Sequence, residues 1–99
     1  MSKVYVGQWK ARVEPPEERH KVDVWFCSRA ESAATFDTKE SAQYDRALLQ
    51  SFNVTIDVPN GLKQHCEGFA VEQWSDQFVI FCEAPFPGHE PSEVGTGEK

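Results

Sequence analysis

Little in this chain announces a reaction. Its 99 residues contain no glycine-rich phosphate loop, no serine elbow and no His-Glu metal-binding helix motif, and these are patterns that carry much of phosphoryl-transfer, hydrolase and zinc-protease chemistry. No apolar run approaches the ~20 residues of a membrane-spanning helix, and the opening Met-Ser-Lys-Val-Tyr-Val lacks the apolar core of a signal peptide. The expectation is a cytoplasmic protein without membrane contact. The three cysteines, Cys27, Cys66 and Cys82, show no Cys-x-x-Cys spacing and leave one unpaired in any disulfide scheme, which suits reduced, buried thiols. Among the histidines and cysteines only His65 and Cys66 are close in sequence, and adjacent residues rarely ligate one ion, so neither a metal nor a cofactor is expected.

Positive charge is scarce beyond residue 30. The net charge is −6, but residues 1–30 hold six Lys/Arg against four Asp/Glu, whereas residues 31–99 hold four against twelve. From Gln64 to Glu98 there is no Lys or Arg at all. Such a field repels phosphate backbones and attracts basic partners, so direct nucleic-acid binding is not expected.

What is present is a hairpin with two apolar faces. Phe69 to Glu83 alternates around the single turn-prone pair Ser75-Asp76, a register that sets Gln73 opposite Phe78. One face collects Phe69, Val71, Phe78, Ile80 and Cys82 and reads as core. The other collects Ala70, Glu72, Trp74, Gln77, Val79, Phe81 and Glu83, where large apolar groups alternate with carboxylates. That second face is either covered by the chain's own tail or another strand, or a docking patch for a partner.

The remaining chain supplies the frame. Val4 to Val13 reads as a strand whose apolar residues change face, and a bulge at Gly7-Gln8 would bring Val4, Val6, Trp9, Ala11 and Val13 to one side. A proline-containing loop, Glu14 to His20, leads to a second strand at Lys21 to Ser28, with Val22, Val24 and Phe26 on one face and Trp25 and Cys27 on the other. Ala34 to Phe36 suits a short edge strand. Asp37 with Glu40 three residues on has capping-box spacing, predicting a helix over 38–52 with Tyr44, Leu48, Phe52, Leu49 and Ala42 in its apolar arc and Asp45 inside that arc. Asn53 to Val58 is a further strand, and Leu62 to Gly68 a connecting loop. Pro85 to Lys99 has three prolines and three glycines and few apolar groups. The reading is therefore an α+β domain over 1–84, with an antiparallel sheet of four to five strands in the chain order β-β-α-β-β-β and one helix on one face, followed by an extended or disordered acidic tail over 85–99.

Gly7 to Val13, a second strand, and Phe36 to Ala42 opening a helix resemble, over the first half of the chain, the three-strand-plus-helix modules of AP2-like and integrase arm-binding domains. That resemblance implies a sheet presenting Lys10, Arg12 and Lys21 to a DNA groove. The acidic remainder departs from those families.

A magnitude shapes the functional expectation. Five strands spaced ~4.8 Å apart make a sheet about 20 Å wide, while one helix is only about 10 Å across. One helix cannot cover both faces, so the face bearing Trp25, Glu72, Trp74, Val79, Phe81 and Glu83 is expected to meet a partner: a protein with a basic surface or a second copy of this chain. An inhibitor or nucleic-acid mimic is the extreme form. The alternative is a small enzyme or ligand-binding domain with a pocket between helix and sheet, built on Asp45 with His65 or Cys82.

Overall fold

A computed structural model describes residues 2–15, 19–57, 63–66, 68–84 and 93–99. The elements along the chain are β1 (Ser2–Glu14), β2 (Arg19–Cys27), a 3-10 turn (Ala30–Ser32), α1 (Lys39–Gln50), β3 (Asn53–Asp57), β4 (Lys63–His65), β5 (Ala70–Trp74), β6 (Gln77–Ala84) and β7 (Glu93–Glu98). The strands form one antiparallel sheet in the spatial order β4-β3-β7-β2-β1-β6-β5. The α+β class and the single helix match the sequence reading, but the sheet is larger than the four to five strands expected.

The two extra strands come from segments read as irregular. Lys63–His65, expected to be loop, pairs with β3 as a three-residue margin. Glu93–Glu98, expected to lie in a tail beyond the domain, is inserted between β3 and β2. Its glycines hid it, because glycine is depleted in strands. Here they serve a purpose: the register aligns Val22, Gly97 and Val54 across β2, β7 and β3, and a Cβ at Gly97 would stand 3.0 Å from both the Asn53 carbonyl oxygen and Val54 Cγ2.

Chain length shows how the sheet is shaped. β4 and β5 occupy opposite margins, about 29 Å apart in a flat seven-stranded sheet at ~4.8 Å per strand. Five residue steps join His65 to Ala70, and they reach about 17 Å at most. The sheet is therefore strongly curled, and its two margins approach each other. This is how a single helix suffices. α1 packs against β5, β6 and β3, spanning the mouth of the curl, and Phe69 enters it to stack on Phe26 with centroids 6.4 Å apart. The enclosed core includes Val4, Val6, Val22, Val24, Leu49, Phe52, Val54, Ile80 and Cys82.

The predicted bulge is present: the β1–β2 register shifts between Val6 and Gln8. It returns Trp9 to the core side, where it packs against the cluster, while Ala11 and Val13 run past it into solvent. β1 pairs with β6 only as far as Tyr5. Beyond the bulge the segment after β2 enters the sheet, with Ala34 N–H donating to Val6 O and Phe36 exchanging two backbone bonds with Phe78. The expected short edge strand is thus a bridge inside the sheet.

α1 begins one residue later than the spacing suggested. Thr38 is the N-cap, accepting from Ser41 N–H at 3.1 Å. Its buried positions are Ala42 and Leu49, whereas Tyr44 is 68% exposed. Asp45 and Leu48 are half-buried beside them.

Candidate functional site

The face turned away from α1 follows from the strand register. Tyr5 on β1 stands between Cys27 on β2 and Phe81 on β6, and Phe81 in turn faces Ala70 on β5. One step along, Glu72 opposes Val79, and at the hairpin end Trp74 opposes Gln77. Ser75 takes a positive φ of 60° in the two-residue turn, and the register is the expected one, with Gln73 opposite Phe78.

These side chains form a connected cluster. The Tyr5 and Phe81 rings lie 6.1 Å apart and tilted by 50°. Lys3 Nζ stands 4.6 Å from the Phe81 centroid and 3.2 Å from Glu72 Oε2, and Tyr5 Oη donates to the same carboxylate oxygen at 3.5 Å. The Glu72 bond holds the Lys3 ammonium above its usual pKa. Burial, reinforced by the Glu72 charge, does the same to the Tyr5 phenol. Lys3 and Tyr5 were missed in the sequence because Val4 and Val6 dominate that strand. Their signal was the opposite parity, which carries a cation and an aromatic ring.

The sequence-nominated docking residues are placed unevenly. Phe81, Trp74 and Glu72 are half-buried beside one another on the β5–β6 hairpin, and Glu83 is exposed. Trp25 is half-buried too but lies apart, beyond β1, opposite Gln8 and Val94. Val79 is a correction: it shares the face but is fully buried, beside the bridge between Phe78 and Phe36. Cys27 is buried on this face as well, its thiol within hydrogen-bonding distance of both Tyr5 O and Arg29 O. The segment after β2 folds over the face here, since Ser32 O lies 4.0 Å from the Cβ position at Gly7. No residue in the notion of an alternating strand foretold that local cover.

Asp45 and Cys82, two of the residues read as a possible pocket, have structural partners. Asp45 accepts the Trp9 indole N–H at 3.3 Å. Cys82 is fully buried in the core, and its thiol is pushed up by a hydrogen bond to Cys66 and by burial, which keeps it protonated and inert. His65 pairs with Thr55 on β3. Among the described residues no group of three or more His, Cys, Asp or Glu is arranged to hold a metal ion, and no helix is long and apolar enough to cross a membrane.

No family model, curated protein or solved structure matches this chain. Any functional reading therefore rests on the face itself.

Charge divides that face in two. At the β6–β5 side, Glu72 and Glu83 outnumber Lys3. On β1 and β2 the outward positions include Lys10, Arg12 and Lys21, with Asp23 bound to Arg12 at 3.1 Å. The three cations named by the AP2-like resemblance do share the face opposite the helix, but they sit in a seven-stranded sheet rather than a three-stranded one.

Proposed function

We propose that this chain is a small protein-interaction module that docks a partner on the outward face of its curled sheet, with Trp74 and Phe81 as anchors and Glu72 and Glu83 as flanking charges. The observation that supports it most is the ordered cluster of Lys3, Tyr5, Glu72 and Phe81. Its rings are braced by a ring contact, a cation–π contact and an ion pair, and they stand on the side away from the core. Half-buried, braced aromatics lose little side-chain freedom on binding, which is what an interface anchor needs. The partner that fits is a protein presenting basic groups between apolar ones. A nucleic-acid mimic is less well supported, because Lys10, Arg12 and Lys21 lie on the same face.

The double substitution Trp74→Ala with Phe81→Ala tests this reading. Binding to a partner should be abolished, with the circular dichroism spectrum and cooperative unfolding retained. Unfolding of the double variant would make these residues core and remove the support for the reading.

A further inference from the structure

β1 outlasts its neighbour on one side. It pairs with β2 from Tyr5 to Glu14, but with β6 only from Ser2 to Tyr5. Just past that point the Ala34 N–H donates to Val6 O. From Trp9 to Val13, a stretch about 14 Å long, no described residue pairs with the side of β1 turned away from β2.

One bond fixes which groups that edge presents. Lys99 N–H donates to His20 O at 3.0 Å, so the His20 backbone points from β2 toward β7 and away from β1. Residues directly opposed in an antiparallel pair turn their backbone groups either both toward or both away from each other. Val13, opposite His20, therefore turns its N–H and C=O away from β2, and alternation extends this to Ala11 and Trp9. The bulge at Gly7-Gln8 brings Val6 to the same side, where Ala34 reaches its carbonyl oxygen. Three N–H and three C=O groups thus stand in a row along an open edge. The side chains there are uncovered as well: Ala11 and Lys10 are exposed, and Val13 is 54% exposed.

An open edge of this length is a template for another strand. A second copy fits it poorly. Only a two-fold centred on Ala11 engages all three edge-facing residues, and it sets Lys10 against Arg12 of the copy at two places, a destabilising relation. Centring it on Lys10 or Arg12 opposes that cation to itself. An acidic strand meets the edge without this cost. The carboxylate opposite Lys10, Asp23, is held by Arg12 through Nε and Nη2, and among the described residues Lys10 makes no ion pair.

We infer that the Trp9–Val13 edge of β1 accepts an extended acidic segment of another protein as an added antiparallel strand, with a carboxylate beside Lys10 and apolar side chains beside Ala11 and Val13. Backbone bonds supply the affinity of such an addition, and the alternating side chains set its register. The edge is separate from the aromatic cluster of Lys3, Tyr5, Glu72 and Phe81, which lies on the other side of the bulge.

The probe is the end-capped peptide Thr-Val-Glu-Val-Glu-Val-Thr, titrated into the ¹⁵N-labelled full chain and followed by amide shifts and hydrogen exchange. In the free chain the amides of Trp9, Ala11 and Val13 should exchange fast, and those of Lys10 and Arg12, bonded to β2, slowly. The peptide should give saturable shifts centred on Trp9 to Val13 and slow the exchange of the first three. The same peptide with Lys in place of Glu should bind roughly tenfold more weakly, the scale of reversing two cross-strand charge pairs. Lys10→Glu should shrink that preference. Four results would overturn the assignment: slow exchange of Trp9, Ala11 and Val13 in the free monomer, equal affinity for the two peptides, shifts centred on Glu72 and Phe81 instead, or a concentration-dependent dimer that protects the same amides and so gives the edge to a second copy.

Discussion

Asp45 illustrates how one residue can look chemical and act structurally. A carboxylate in the apolar arc of a helix suggests a shifted acid, yet its oxygen receives the Trp9 indole N–H, and the partner came from a strand 36 residues away in sequence. Asp45→Ala leaves that donor without its acceptor and should cost about 1–2 kcal/mol, while Asp45→Asn keeps a carbonyl acceptor and should cost under about 0.5 kcal/mol. Urea unfolding of the two variants measures both. Cys82 makes a prediction about pH. Its thiol is held up first by the Cys66 hydrogen bond and then by burial, from an ordinary value of 9.0. The folded protein therefore keeps a proton that the unfolded chain gives up. The resulting stabilisation is complete below pH 9, and it is lost as pH rises beyond that point. The urea midpoint should fall between pH 8 and pH 10.5, and fall less steeply in Cys82→Ala; equal slopes would place the titration elsewhere.

At the scale of elements, the unexpected strand is the informative one. β7 holds β2 and β3 together, and Gly97 makes room for β3. Gly97→Ala should destabilise by roughly 1–3 kcal/mol, because the new methyl meets a backbone oxygen that cannot move without breaking the ladder. Thermal or urea unfolding reads this out. The same position shows why parts of the fold were legible and parts were not. The β5–β6 register, the Gly7 bulge and the single helix were readable because local rules govern them: alternation, turn chemistry and capping. β7 was not, since Val-Gly-Thr-Gly resembles a strand only once neighbours exist on both sides. The helix phase was legible as well: Ala42, Leu49 and Phe52 are buried and Leu48 is half-buried. Of the arc read from sequence only Tyr44 is exposed. For the site, Trp74, Phe81 and Glu72 were found by parity alone. The burial of Val79 was not legible, nor was the neighbouring bridge between Phe36 and Phe78, 42 residues apart, which periodicity does not encode.

Across the whole molecule, the curl of the sheet changes what the sequence implied. A flat sheet with one helix would leave an entire apolar face uncovered. In a curled sheet α1 and Phe69 cover the core on β3, β5 and β6, while Ala11 and Val13 at the far end of β1 stay exposed. The outward face has an aromatic, acidic end on β6 and β5, while Lys10, Arg12 and Lys21 stand on β1 and β2 beside Thr55 and Thr96 of β3 and β7. Electrostatic steering by such a face acts mainly on the rate of encounter and on partner choice, and salt screens it.

The most direct measurement of the central proposal is solution mass by light scattering over a concentration series, combined with capture of partners at low and at high salt by the wild-type chain and by the Trp74→Ala, Phe81→Ala variant. The proposal predicts a monomer that captures a basic protein at low salt, releases it at high salt, and loses it in the variant. A folded variant that captures the same protein as the wild type would contradict it.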